Sequence, residues 1–197
     1  MDYHERLIRV LYENQKNIVD SANLLARLIV STTRQNKRVF ICGNGGSAST
    51  AEHFEIDLSF IRTANKSIKG IPSVTALTSN SAVMSAISND RDYSEIFSIQ
   101  LARKAKEGDL LIVISCSGNS PNLLEAVRYC RANGILTFGL LGFDGGLLKR
   151  MCDNVLVVAS DKNEYGVVED IHLSICHRVT ENIKQFLSED IIKNSQL

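Results

Sequence analysis

Apolar positions along this chain fall into two rhythms. Over the first 36 residues Leu7, Val10 and Leu11, then Leu24, Leu25, Leu28 and Ile29, recur three and four apart with charged residues between them. That spacing builds one buried helical face. The polar run 14–17 reads either as a break between two helices or as a solvated turn. From Arg38 onward the pattern changes: apolar runs at 39–42, 74–77, 110–114, 135–141 and 155–158 alternate with longer amphipathic segments. Unbroken runs rich in Val, Ile and Leu are the mark of strands buried on both faces, as in a parallel sheet. Helical spacing fills 47–60, 81–104 (read as two helices), 121–133 and a long tail at 167–187, and Asn133-Gly134 is a helix stop leading into the next strand. Such alternation predicts an α/β fold with a single, doubly wound, flavodoxin-like sheet of about five parallel strands. Residues 1–36 form a helical segment packed on the domain at 37–197, one structural unit overall. The two prolines, Pro72 before a strand and Pro121 at a helix start, stand where proline is tolerated.

Composition narrows the field. A chain of 197 residues, 44% hydrophobic and 22% charged, suits one globular domain and is wrong for a disordered protein. Its 22 basic and 22 acidic residues cancel, which argues against affinity owed to nucleic-acid phosphates or an anionic membrane. No apolar run approaches the roughly 20 residues that cross a bilayer. The N-terminus MDYHERLIRV lacks the order of a secretory signal. The five cysteines, none in a C-x-x-C pair, read as reduced thiols, so the expected setting is the cytoplasm.

In an open α/β sheet, ligands bind beyond the carboxyl ends of the strands. After the first strand come Gly43, Asn44, Gly45, Gly46, Ser47 and Ala48, a turn that brings backbone N–H groups and a helix N-terminus up to an anion. The spacing also fits G-x-G-x-x-A, but a dinucleotide site needs a carboxylate at the end of the second strand, and Leu77, Thr78, Ser79 and Asn80 supply none. A ligand-free glycine turn is the plain alternative. After the third strand, Ser115, Cys116, Ser117, Gly118, Asn119 and Ser120 precede Pro121. Ser120 is placed as N-cap, with Ser115 and Ser117 able to donate to an anion. Neither a nucleophile elbow nor a Walker A loop fits.

The helix at 47–60 carries His53 and Asp57 four apart, on one face. The terminal helix carries Glu169, Asp170, His172 and His177. Asp170 lies nearly in line with His177, Glu169 about 80° round the helix from it, and Glu169 with His172 is a competing local pair. Two helices each offering a histidine and a carboxylate can build a metal site or an acid–base pair. The plain alternative is a helix ion pair and two surface histidines.

Taken together, C-G-N-G-G-S-A-x-x-x-x-H-F at 42–54, S-N-D at 88–90, I-S-x-S-G-N-S-P-N at 114–122 and E-D-I-H-x-x-x-x-H at 169–177 resemble the sugar isomerase (SIS) domain family, and within it the bacterial phosphoheptose isomerases. The resemblance runs to about Leu187. It implies an aldose–ketose isomerase acting on sedoheptulose 7-phosphate in heptose biosynthesis for lipopolysaccharide or capsule, and a homotetramer with active sites at subunit interfaces. It implies a phosphate held by Asn44, Gly45, Gly46 and Ser47 with Ser115, Cys116, Ser117 and Ser120, and Asp90 and Glu169 near the sugar. It further implies proton transfer by Asp57 and His177, and zinc, one per subunit, on His53, Asp57, Glu169 and His177. The chain departs from the family at Asp57 (usually Glu), Glu169 (usually Gln) and Cys116 (usually Thr), and carries Ile61, with Arg62 next to it, where a basic residue often follows the base. A base displaced by more than an ångström costs about a hundredfold in rate, whereas an added carboxylate favours a divalent cation. The alternatives are a non-catalytic SIS module that binds a phosphosugar for regulation, and an isomerase of a different sugar phosphate.

Overall fold

Five strands, β1 (Arg38–Gly43), β2 (Ser73–Ala76), β3 (Leu110–Ser115), β4 (Leu136–Gly142) and β5 (Asn154–Val158), pair in parallel in the order β2-β1-β3-β4-β5. The computed structural model describes residues 1–61 and 72–194, so Arg62 lies outside the described residues. Alternate residues of each central strand feed two separate cores. Val39, Ile41, Ile112 and Leu140 pack beneath α1 (Tyr3–Arg34), α2 (Gly46–Ser59) and α7 (Tyr165–Asn194). Phe40, Cys42, Leu111 and Val113 face the opposite layer, with α4 (Ser98–Lys104), α5 (Pro121–Ala132) and α6 (Leu148–Met151). Both faces are covered, which is why the strands read as unbroken apolar runs. The doubly wound sheet expected from those runs is the one found.

The N-terminal helix departs from expectation. Residues 14–17 neither break α1 nor lie in a solvated turn, for Asn14 is buried mid-helix. Its amide donates to the Val10 and Ala159 carbonyls at 2.8 and 2.9 Å and accepts from the Ala159 N–H at 2.8 Å. Asn17 donates to the Val157 carbonyl at 2.9 Å. β5 is an edge strand, and an edge leaves backbone groups unpaired; two asparagines of α1 satisfy part of that edge. The polar run is therefore a lateral seam between helix and sheet. Elsewhere, 81–104 resolves into α3 (Ser81–Asp90), a 3₁₀ turn (Tyr93–Glu95) and α4, while α6 is a short helix with no periodicity to announce it.

All five cysteines are free, and among the described residues no helix is long and apolar enough to cross a membrane.

Replacing Asn14 by Leu strands the Ala159 N–H and carbonyl. Ala159 is itself exposed, so water recovers part of the loss. The expected cost is about 1–2 kcal/mol, read from the midpoint of urea denaturation at unchanged slope.

Candidate functional site

β1 is followed by α2 on one face of the sheet, and its neighbour β3 by α5 on the other. Chains leaving adjacent strands in opposite directions open a crevice between them, the usual ligand site of such sheets. Two close approaches shape it. A Cβ on Gly43 would lie 2.6 Å from the Ser47 carbonyl oxygen, so only glycine lets β1 turn straight into α2. Gly118, at φ +65°, packs against the Gly145 backbone and has no room for a side chain.

Neither helix facing the crevice is capped by a side chain. The N-cap of α2 is Gly45, and Ser120, at the N-cap of α5 as anticipated, makes no capping hydrogen bond. Its hydroxyl is left available, and the first turns of both helices carry positive dipole ends. Ser115 Oγ accepts from the Gly118 N–H at 3.0 Å, and Ser117 Oγ accepts from the Asn119 N–H at 3.4 Å, so these two hydroxyls also shape their own loop. Ser47 is buried, and its hydroxyl hydrogen-bonds the Cys116 thiol. Burial, then the neighbouring Glu169 carboxylate, pushes that thiol up to about 11 against the opposing Ser47 bond, so Cys116 stays protonated at neutral pH.

α2 and α7 pack side by side, running the same way. Glu169 abuts Gly46 at the start of α2, where an added Cβ would strike its carboxylate. Further along both helices His53, Asp57 and His177 converge. His53 Nε2 and His177 Nε2 stand 3.0 Å apart, and Asp57 Oδ2 lies 3.5 Å from the first and 3.8 Å from the second. Two neutral imidazoles can face each other this way only if one Nε2 carries a proton, or if both lone pairs point at one cation. Three donor atoms on a cation with bonds of about 2.0–2.1 Å sit about 3.3 Å apart in a tetrahedron, and the observed edges bracket that value. Among the described residues this trio is a group able to hold a metal ion. The side chains of His53, His177 and Asp57 are 47%, 52% and 25% exposed, so the cluster is open to solvent in a single chain.

Glu169, expected as a fourth ligand, is not one of the three. Eight residues from His177, it lies about 12 Å along the axis at 1.5 Å per residue, beside Gly46 where the loop after β1 enters α2. Asp170 turns elsewhere and accepts from the Tyr3 hydroxyl at 2.7 Å. His172 is neither a surface residue nor a partner of Glu169, for it is completely buried and neither ring nitrogen has a hydrogen-bond partner. Asp90, exposed at the end of α3, accepts from Asn89 at 3.0 Å and joins neither the loops nor the cluster through a hydrogen bond or ion pair.

Two residues absent from the expected site complete the crevice. Asn122, at 2% exposure, and Asn44 exchange amide hydrogen bonds of 2.8 and 2.9 Å across it, and the Tyr93 hydroxyl donates to Asn44 Oδ1 at 3.3 Å. An asparagine just inside a helix that follows a strand-end loop was a readable signal for Asn122. Tyr93, 49 residues from Asn44, had none.

Residues 2–142 match the SIS domain family. The phosphoheptose isomerase of Aliarcobacter butzleri is 35% identical over 185 residues, covering 94% of each chain. The chain belongs to the phosphoheptose isomerases of the SIS domain family. Phosphoheptose isomerase 1 of Campylobacter jejuni is 34% identical, over 91% of this chain and 97% of its own. Among solved structures, the phosphoheptose isomerase of Neisseria gonorrhoeae superposes with a TM-score of 0.83 at 28% identity, covering 92% of this chain and 95% of that one. The SIS match takes in α1, so this SIS domain protein carries its N-terminal helix within the family unit.

Burial holds His172 down at about 4, with the nearby Leu141 backbone acting the other way. Between that value and the ordinary 6.5 the unfolded chain binds a proton that the native chain refuses, so stability falls as pH drops from about 6.5 towards 4. Urea denaturation across that range should show this slope, and His172→Phe should remove its share.

Proposed function

We propose that the chain is an aldose–ketose isomerase interconverting sedoheptulose 7-phosphate and D-glycero-D-manno-heptose 7-phosphate, a step of heptose biosynthesis. The observation that carries this reading is the spacing of two features on one helix pair. An uncapped, glycine-lined crevice stands at the start of α2, and His53, Asp57 and His177 cluster about two turns further on. A phosphate anchored in the first sets the sugar carbons against the second. The phosphate is met by the N–H groups of 44–47 and by Ser47, Ser115, Ser117 and Ser120, with Cys116 as a neutral neighbour. Glu169, beside Gly46, and Asp90, at the end of α3, are assigned to the sugar.

In the forward direction Asp57 takes a proton from C1 while the C1–H electron pair moves into a C1–C2 double bond and His177 protonates O2. The resulting enediol returns its O1 proton to His177, C2 recovers a proton from Asp57, and the aldehyde forms at C1. No atom or electron is gained or lost. General acid and base catalysis of this kind is worth about 10² to 10⁴ each in rate.

The donor set fits zinc: two imidazoles and one carboxylate with an open fourth position, the pattern of catalytic sites in preference to closed structural ones. When bound, such a cation would polarise the sugar carbonyl and stabilise the developing oxyanion. Asp57 retains its second carboxylate oxygen for proton work in either case, whereas the single lone pair of His177 Nε2 can hold the cation or carry the proton but not both, so the proton shuttle through His177 belongs to the metal-free chain.

The open cluster, flanked by exposed Ile56 on α2 and Phe60 just past its end, supports a homo-oligomer, a tetramer with active sites at its interfaces, in which a second chain walls the site. The free cysteines and the metabolic role support a cytoplasmic setting.

Purified protein incubated with sedoheptulose 7-phosphate in deuterated water should yield the aldoheptose phosphate with deuterium at C2; the absence of both product and exchange would sink the reading. Asp57→Asn and His177→Gln should each lower kcat by about 10² or more at little change in fold. Elemental analysis of the purified protein should find close to one zinc per chain, and His53→Ala should strip it; a metal content unchanged by His53→Ala removes the trio as the binding site.

A further inference from the structure

The loops after β1 and β3 come from separate parts of the chain, yet one phosphate must touch both. Beyond the pairing of β1 with β3, a chain of hydrogen bonds links them, its direction set at its inner end. The Leu123 backbone N–H, shared with the Ser120 carbonyl, donates to Asn122 Oδ1 at 3.0 Å. A backbone N–H can donate only to the oxygen, so the Asn122 amide has one orientation and its Nδ2 must face Asn44. Asn44 Oδ1 accepts from it at 2.8 Å, and Asn44 Nδ2 donates back to Asn122 Oδ1 at 2.9 Å. The amide of Asn44 is thereby oriented in turn, and the Tyr93 hydroxyl can meet its Oδ1 only as a donor, at 3.3 Å.

We propose that Tyr93 and Asn122 are positioning residues which, by holding the Asn44 amide between them, lock the loops after β1 and β3 into one preformed phosphate cradle. This rests on the phosphosugar reading above. The side-chain oxygen of Asn44 is fully engaged by Tyr93 and Asn122, which makes it a strut of the site instead of an acceptor for the sugar. Asn122 is buried at the first turn of α5, so the strut starts from a fixed base. Tyr93, in the 3₁₀ turn between α3 and α4, ties the segment that carries Asp90 to the same strut. The strut also forms a wall of an open cavity of about 340 Å³ that includes Ser120, the serine whose hydroxyl has no capping bond. Preorganisation lowers the ordering cost of binding and leaves the chemical step alone, so loss of the strut should appear in KM and in phosphate affinity much more than in kcat.

The test is a double-mutant cycle. Tyr93→Phe removes one hydroxyl from a half-exposed ring and spares the core; Asn122→Ala cuts the strut at its base. The readouts are KM and kcat with sedoheptulose 7-phosphate, and the Kd of inorganic phosphate by calorimetry. Tyr93→Phe should raise both KM and the phosphate Kd about threefold to tenfold, the worth of one neutral hydrogen bond, with kcat within about twofold. Asn122→Ala should raise them further. In an Asn44→Ala background, Tyr93→Phe should change neither, because its effect runs through Asn44. Unchanged KM and phosphate Kd in Tyr93→Phe overturn the proposal, as does an effect that persists in full without Asn44, or a wild-type chain that binds no phosphate at millimolar concentration. If the wild type binds phosphate and the cycle behaves as described, but no sugar is isomerised, the strut stands and the isomerase reading falls.

Discussion

Everything at this site hangs on how tightly β1 turns into α2. With no side chain on Gly43, the backbone of Ser47 settles almost on top of the strand end, and α2 leaves the sheet at a fixed angle with its N-terminus over the β1–β3 crevice. α7 then packs along α2 in the same direction, and that register decides which residues meet. It puts Glu169 beside Gly46 and His177 beside His53 and Asp57. Tilting α2 by the volume of one methyl group would move the loop after β1 and the histidine cluster together, since both ride on the same rigid helix.

This coupling explains what could be read from the chain and what could not. The strands were legible because burial on both faces leaves unbroken runs such as 110–114, and the loops beyond β1 and β3 because glycines and serines cluster at those strand ends. His53 and Asp57 were legible as a pair because four residues make a helical turn. Their meeting with His177 rests on the register of α2 against α7, which no local pattern encodes. The same register sends Glu169 to the loop end, about two turns from the trio it was expected to complete. Asn14 shows the limit from the other side: its polarity read as a weakness in α1, whereas its partner is the backbone of Ala159, 145 positions away.

The balanced charge has a structural counterpart. No lysine or arginine is needed at the crevice when the ligand is met by helix N-termini and hydroxyls, whose partial charges do not enter a count of ionised groups. The carboxylates Glu169 and Asp92 stand near the crevice, Asp57 lies further along α2 with Lys184 lining the same cavity, and Cys116 adds no charge because burial and Glu169 keep its thiol protonated. A site of this polarity is suited to a phosphate at one end and a cation at the other.

Asp57 poses the sharpest physical question, since it is one methylene shorter than the glutamate usual in the family. The shortened arm nevertheless reaches the cluster, with Oδ2 within 3.8 Å of both imidazole nitrogens. Cys176, next to His177 and buried in the core beneath α2 and α7, is close enough to Asp57 that, after burial, the carboxylate is the next cause of its raised thiol pKa. Asp57 and Cys176 thus face the same seam between α2 and α7, and the shorter carboxylate still meets both histidines there.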